Sequence, residues 1–529
     1  MEYHTSEEFQ NRTRKLEEIR QAGVEPYPHT FYPTHESEEL HQQYGNTKIG
    51  ASTDAEEGKT PFVKAAGRLI LFRAMGKNAF ATLQDKNGRI QVMFNREATI
   101  VEGLKEATGE ESSHLKFIEK KFDLGDIIGV EGYLFHTQKG ELTIFVKKVV
   151  LLCKSLLPLP EKHSGLQDKE MRYRKRWLDL ISHEAVQKVF RTRSLILSLV
   201  RRHFEELNFL EVETPILQTL YGGAQAKPFV TKLHALDQVM YLRIALEISL
   251  KKLIVGGMGR VFEIGKVFRN EGIDRNHNPE FTLLEAYASM WDYNDMMRLT
   301  ETLFEKIALA LHDSTVIAIT PSDREETIHI DMKAPWKRLT MKESIKEYAG
   351  VDVDNLSDDA MRKLLEEDGM KVEELKKCPR GLLIAHLFEA RVEAKLIQPH
   401  HITDHPIETT PLCKPHRDKN EKANGIIERF ESFIMGQEIC NAYTELNDPQ
   451  LQRALLEGQA NRKAAGDEEA NPLDEDFIEA ICQGMPPAGG LGIGIDRLVM
   501  LFTNSHSIRD VLYFPWMKPL TADDSDKDR

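Results

Sequence analysis

No apolar run in this chain approaches the roughly 18–20 residues that span a bilayer, and its first eight residues, Met1 to Glu8, hold no apolar export core. The expectation is a cytoplasmic protein with no membrane association. Cysteine is scarce: Cys153, Cys378, Cys413, Cys440 and Cys482 are odd in number, scattered, and never spaced Cys-x-x-Cys. That excludes a disulfide framework and a thiolate zinc site, and it fits a reducing compartment. Positive charge is also short. The 70 Lys and Arg face 84 Asp and Glu, a net charge of −14. The deficit is uneven: residues 1–59 carry −6, residues 60–150 carry +3, and the remainder carries −11. An acidic molecule with one mildly basic module is no DNA-coating protein, though that module permits contact with one structured RNA.

The 529 residues are enough for about three to four domains. Composition, 41% hydrophobic and 29% charged, is that of a globular protein with a large core. Residues 1–59 read as an N-terminal helical and irregular extension, with a helix from Glu8 to Ala22. From 60 to 152 the texture changes to short β runs, at 62–73, 78–85, 89–95, 126–137 and 141–152, which suits an OB-fold barrel. Residues 153–182 form a linker ending in the basic run Lys169 to Arg176, either a solvated helix face or a hinge lying near nucleic-acid phosphate. The rest, 183–529, reads as one large domain with a helical insertion at about 313–400, containing helices at Asp358–Glu367 and Pro379–Lys395. Apolar positions Val186, Phe190, Ile196, Val200 and Phe204 recur at helical spacing before the extended run Phe209 to Pro215. The fold class expected is α+β.

Within the barrel, Asn87-Gly88 between alternating runs signals a two-residue hairpin turn. That turn pairs Lys86 with Arg89, Gln84 with Gln91, Leu83 with Val92 and Phe80 with Asn95. One face collects Ala81, Leu83, Ile90, Val92 and Phe94 as core. The other collects Phe80, Thr82, Gln84, Gln91, Met93 and Asn95. An aromatic among amides is either a surface residue covered by a loop or a stacking platform for a base, with Gln91 reading a base edge and Arg73 adding charge.

Two stretches about two hundred residues apart carry the chemistry. One is Val261-Phe262-Glu263-Ile264-Gly265-Lys266-Val267-Phe268-Arg269-Asn270-Glu271, running on to His277-Asn278-Pro279-Glu280-Phe281; the other is Gly489-Gly490-Leu491-Gly492-Ile493-Gly494-Ile495-Asp496-Arg497. The ordered pair resembles motifs 2 and 3 of class II aminoacyl-tRNA synthetases, and the helix-strand-Pro pattern of 184–215 resembles their motif 1, a homodimer interface. The resemblance implies a catalytic domain built on an antiparallel sheet flanked by helices.

Activating a carboxylate with ATP requires in-line placement at the α-phosphate and neutralisation of pyrophosphate charge, so positioning and electrostatics suffice. Arginine suits this because its planar fork grips phosphate and carboxylate bidentately while staying protonated. The resemblance gives Arg269 the α-phosphate and the substrate carboxylate, Glu271 the adenine amino group, and His277 the outer phosphates. Adenine then lies between Phe281 and Arg497, making Arg269, Glu271 and Arg497 the catalytic set. Asn270, Asn278, Glu431, Gly494 and Asp496 complete the implied ATP site. Glu431 and Glu438 match the family's Mg²⁺ pair; seven residues apart, they share one helix face or lie on adjacent strands. Mg²⁺ is a hard cation that takes one or two carboxylates plus phosphate oxygens.

The OB-fold joined to this core is similar to the lysyl, aspartyl and asparaginyl subclass (IIb). Segments such as Gly222-Gly223-Ala224-Gln225-Ala226-Lys227-Pro228-Phe229 and Asn441-Ala442-Tyr443-Thr444-Glu445-Leu446-Asn447-Asp448-Pro449 resemble the bacterial-type class II lysyl-tRNA synthetases. The implied pocket places Gly223 and Glu247 at the α-ammonium, Glu285, Tyr287 and Glu445 around the ε-ammonium, and Asn441 at the carboxylate, with Tyr443 also lysine-binding. An acidic pocket fits a substrate with two ammonium groups, whereas an aspartate pocket would present Arg or Lys. Two departures stand out: Leu246 replaces the family's usual Pro before Glu247, and Thr231-Lys232-Leu233-His234 replaces the usual Thr-His-His-Asn. The implied partners are ATP, L-lysine, tRNA(Lys) and a second copy of the chain. Aspartyl or asparaginyl activity, or a non-enzymatic OB-type RNA binder, are the alternatives.

Overall fold

The computed structural model describes residues 3–47, 49–56, 58–105, 113–160, 166–322, 324–464 and 470–519. The chain forms two compact units, residues 1–165 and 166–529. In the first, strands β1 (Phe62–Met75), β2 (Asn78–Gln84), β3 (Arg89–Asn95), β4 (Ile127–His136) and β5 (Leu142–Cys153) run in the order β3-β2-β1-β4-β5. A parallel pairing of β3 with β5, Gln91 opposite Thr143, closes the barrel. Alternation puts Val63, Ala81, Leu83, Val92, Phe94, Val130 and Ile144 inside. Helices α1 (Glu7–Gln21), α2 (Ser37–Tyr44) and α3 (His114–Lys121) pack on it, with Ile19, Leu40 and Phe117 in the same core.

The hairpin register differs from the sequence expectation by two residues. Gln84 faces Arg89, Thr82 faces Gln91 and Phe80 faces Met93. Asp85 moves the turn back one residue, onto Lys86-Asn87. Its carboxylate accepts the N–H groups of Asn87 (2.8 Å) and Gly88 (2.9 Å), and also that of Ser37 (2.6 Å). A slip of two conserves which face each side chain takes, so the expected core face is buried.

The second unit is centred on an eight-stranded sheet. Its members are β6 (Leu210–Glu211), β7 (Arg260–Phe268), β8 (Glu280–Ser289), β9 (Lys337–Thr340), β10 (His400–Pro406), β11 (Ile426–Ile434), β12 (Gln437–Thr444) and β13 (Ala488–Gly494), in the order β9-β10-β11-β12-β13-β8-β7-β6. Only the two edge pairs are parallel; the six central strands are antiparallel. Helices α4 (Glu184–Glu206), α6 (Tyr293–His312) and α7 (Ile495–Thr503) cover one face, burying Phe204, Phe304, Leu491 and Leu498. Helix α5 (Glu247–Val255) packs on the other, with Leu250, Val261 and Phe477. The expected extended run after α4 is short, pairing only Leu210 and Glu211 with β7. The segment expected as a helical insertion does carry helices at Asp358–Glu367 and Arg380–Arg391, but also a hairpin, Val316–Ile319 with Ile328–Asp331, and the sheet's own edge strand β9.

The three arginines of the basic run at 169–176 have internal partners, while Lys169 and Lys175 are exposed. Arg176 is buried, ion-paired to Asp179 at 2.6 Å, and donates to the carbonyls of Tyr513, Arg509 and Leu512. Arg172 also meets Asp179, and Arg174 meets Glu170.

Candidate active site

Strands β8, β12 and β13, with Arg269 just past the end of β7, line a cavity of about 460 Å³. Its lining includes Gly223, Glu247, Arg269, Glu271, His277, Asn278, Phe281, Glu285, Tyr287, Glu438, Asn441, Tyr443, Gly494, Asp496 and Arg497. Residues from opposite ends of the catalytic unit thus converge, because β8 pairs with β13 in the register Glu285–Gly492 and Tyr287–Gly490. Period-2 alternation aims Glu285 and Tyr287 the same way. Gly490 makes room: a Cβ there would stand 1.8 Å from Glu445 Oε1 and 2.6 Å from the Tyr287 ring.

The end of the cavity around Arg269 and Arg497 is cationic. Arg269 stacks over Phe281, 5.1 Å from the ring centroid, with its Nε donating to Ile244 O at 3.3 Å. Arg497, in the first turn of α7, donates to the backbone carbonyl of Glu438 at 2.7 Å and approaches its carboxylate at 3.4 Å. His277 is half exposed, and its Nδ1 is held by Asp274 at 2.8 Å. Asn278 is tied between Glu280 O and the N–H of Trp516. Asp496 is internally satisfied, by Arg193 at 2.6 Å and the N–H of Thr282 at 2.7 Å, which anchors the start of α7. Asn270 is exposed and lies outside the lining, with its N–H on Lys227 O.

Glu431 and Glu438 stand on the adjacent strands β11 and β12, which resolves the choice between one helix face and neighbouring strands. Both line a second cavity with Glu389, Glu393 and Glu408. Burial, and then the Glu431 charge, push the Glu438 carboxyl up. Burial, followed by Glu431, Glu389 and Glu438, pushes Glu393 to about 7. Arg429 pairs with Glu431 at 2.5 Å and donates to Asn441 Oδ1 at 3.1 Å. Among the described residues, no three carboxylate, His or Cys groups converge as a complete metal cage.

The other end is acidic. Glu247 and Lys251 lie four apart on α5, and Lys251 Nζ pairs with Glu247 at 2.5 Å and with Glu445. Lys251 and Glu445 are 0% exposed. Burial opposes the Lys251 charge, yet the two carboxylates outweigh it and hold the ammonium above its ordinary pKa. Tyr443 donates to Glu247 Oε2 at 2.8 Å. Glu285 accepts from Tyr287 OH and from the backbone N–H of Leu246, both at 3.0 Å. A proline at 246 has no N–H to give, so the sequence departure there supplies a hydrogen bond to the pocket. Burial, then Glu247, raise the Glu285 carboxyl to about 7. Sequence reasoning missed Lys251, although its i, i+4 spacing from Glu247 was visible.

In the barrel, Phe80 and Arg73 are direct cross-strand neighbours. Phe80 is partly buried beside Met93, Phe135, Phe145 and Ala55. Gln91 Oε1 accepts from Thr143 Oγ1 at 2.9 Å.

Comparison with known proteins agrees with this arrangement. Residues 168–518 match the family profile described as tRNA synthetases class II (D, K and N), and residues 63–152 match the OB-fold nucleic acid binding domain. The chain is 56% identical over 526 residues to the lysine–tRNA ligase of Chlamydia caviae, covering 99% of each. It is 54% identical over 524 residues to that of Chlamydia pneumoniae, covering 99% of this chain and 98% of the relative. It is 45% identical over 510 residues to that of Nostoc punctiforme, covering 96% of this chain and 87% of the relative. With a family profile over residues 168–518 and full-length identity at this level, the chain belongs to the lysine–tRNA ligase family of class II aminoacyl-tRNA synthetases.

Proposed function

We propose that the chain activates L-lysine with ATP to lysyl-adenylate and pyrophosphate, then transfers the lysyl group to the 3′ end of tRNA(Lys). The observation that carries this reading is the charge of the acidic end. Glu247 and Glu445 share one buried internal cation, Lys251, and Glu285 lies close enough to Glu247 to feel its charge, so three carboxylates against one cation leave two carboxylates for a substrate with two ammonium groups. Arg269 and Asn441 take the substrate carboxylate, so all three charged groups of lysine find partners. Aspartate would bring a second carboxylate to the acidic end, where among the described residues the one buried cation, Lys251, is already paired.

Arg269 holds the attacking carboxylate against the α-phosphate, and the gain comes from fixing that approach in line. Phe281 and Arg497 sandwich the adenine, with Glu271 accepting from its amino group. Arg497 and His277 offset charge as pyrophosphate departs. Glu431 and Glu438 are hard oxygen donors on neighbouring strands. The raised carboxyls of Glu438 and Glu393 mark an excess of negative charge there, so the residues fit Mg²⁺, which supplies charge neutralisation at the phosphates when bound. Two protein carboxylates suffice when phosphate oxygens and water complete its shell.

Transfer needs tRNA, and the barrel's Phe80 beside Arg73 supports stacking of anticodon bases. Leu195 on α4 and Leu210, Ile216, Leu217, Val230 and Val239 are each exposed, and they supply apolar area for contact with a second copy of the chain. Among the described residues no helix is long and apolar enough to cross a membrane, and the reading places the enzyme in the cytoplasm without a DNA partner. The test is charging: purified protein with ATP, Mg²⁺ and tRNA is given each amino acid singly. Lysine alone is expected to yield acid-stable aminoacyl-tRNA, and charging by another amino acid in its place would overturn the reading.

A further inference from the structure

One buried polar group in the reaction cavity has an acceptor atom with no partner among the described residues. Asn471 lies just before helix Glu475–Cys482, is 3% exposed, and lines the cavity. Its Oδ1 accepts no hydrogen bond among the described residues. Buried polar atoms are ordinarily paired, so an orphaned acceptor facing a cavity points to a donor that arrives with a ligand.

Its surroundings identify which donor. A Cβ built at Gly222 would stand 3.9 Å from Asn471 Oδ1 and 3.6 Å from Ile248 Cγ1. At the next residue, Gly223 (φ +89°), a Cβ would stand 3.0 Å from the Cβ atoms of Ala245 and Glu247. The orphaned oxygen therefore belongs to the Gly222–Gly223–Glu247 side of the cavity. Glu247 supplies charge there, but its oxygens are already shared, Oε1 with Lys251 and Oε2 with Tyr443. An ammonium brings three N–H donors that need separate acceptors. An amide carbonyl adds one without adding a further negative charge to a cavity that already has an excess.

We propose that Asn471 Oδ1 accepts a hydrogen bond from the α-ammonium of the bound amino acid. The inference rests on the lysine reading and adds a substrate contact that the family motifs do not contain. The position lies outside both motifs, about two hundred residues after Arg269 and 18 before Gly489, and folding brings it to the cavity.

The test compares L-lysine with 6-aminohexanoate, which keeps the carboxylate, the carbon chain and the ε-ammonium but has no α-ammonium. Each is measured on the full-length chain, lysine by its KM in ATP–pyrophosphate exchange and the analogue by its competitive inhibition constant. For Asn471→Ala, the lysine KM should rise about ten- to thirtyfold, as expected for a lost hydrogen bond to a charged group. The inhibition constant of 6-aminohexanoate should stay within about twofold, and Asn471→Asp, which keeps the acceptor, should bring the lysine KM back to within about threefold of native. Equal weakening of both ligands would show that Asn471 only shapes the cavity, and an unchanged lysine KM would show no contact; either overturns the inference while leaving the lysine reading intact. A native chain that does not use lysine removes the lysine reading itself, and the inference with it.

Discussion

Tyr287 holds Glu285 from two residues along the same strand, its hydroxyl donating to Oε2 at 3.0 Å while the N–H of Leu246 takes Oε1. Burial and the neighbouring Glu247 nevertheless lift the Glu285 carboxyl from 4.5 to about 7. The folded state therefore binds this proton more tightly than the unfolded chain, and Glu285 costs stability progressively as pH rises between those values. Lysine binding needs the carboxylate. The KM for lysine should rise as pH falls below about 7, approaching tenfold per unit. Leu246→Pro removes one donor to the carboxylate, so the rise should begin at higher pH. A lysine KM that is flat from about pH 6 to 8 would remove Glu285 from the ε-ammonium site.

Lys251 is the internal counter-charge for Glu247 and Glu445. Lys251→Met should destabilise the protein by about 3–5 kcal/mol, because it leaves buried carboxylates unpaired. Saturating lysine should then raise the thermal midpoint of the variant more than that of the native chain, since the substrate brings cations to the same cluster. Equal ligand-induced shifts would show that substrate and Lys251 do not share these carboxylates.

Glu438→Gln and Arg497→Ala should each lower adenylate formation by orders of magnitude, because both act where phosphate charge develops. The unfolding midpoint should move far less, since each side chain retains some exposure. Near-native exchange at saturating ATP in either variant would mean its role is misassigned.

Phe80→Ala should lose roughly 1–3 kcal/mol of tRNA interaction if the open barrel face stacks anticodon bases. Charging at limiting tRNA reads this loss, and pyrophosphate exchange without tRNA should be untouched. Because Phe80 also packs beside Met93 and Phe135, an equal fall in both assays would make it a folding residue.

What was legible in the sequence is what local pattern encodes. Alternation marked all five barrel strands, whereas the central sheet was implied by the resemblance that the Arg269 and Arg497 stretches carry. The hairpin register was not legible, because it depends on Asp85 gathering N–H groups from Asn87, Gly88 and the distant Ser37. The same holds for Arg176, whose basic neighbours read as a surface while its own guanidinium is buried against carbonyls more than three hundred residues away. At the acidic end the glutamates came from resemblance, but the cation that offsets one of their charges emerged only when α5 was seen facing β12 and Glu445. Asn471 carried no motif at all; its burial and unpaired oxygen exist only in the folded chain.

The central claim is that two uncompensated buried carboxylate charges select lysine before tRNA is involved. ATP–pyrophosphate exchange, run without tRNA on the purified chain with each of the common amino acids supplied singly, tests it most directly. Lysine should drive exchange, with every other amino acid far behind, because an uncharged side chain leaves the acidic end unneutralised. Exchange driven best by aspartate or asparagine would contradict the account.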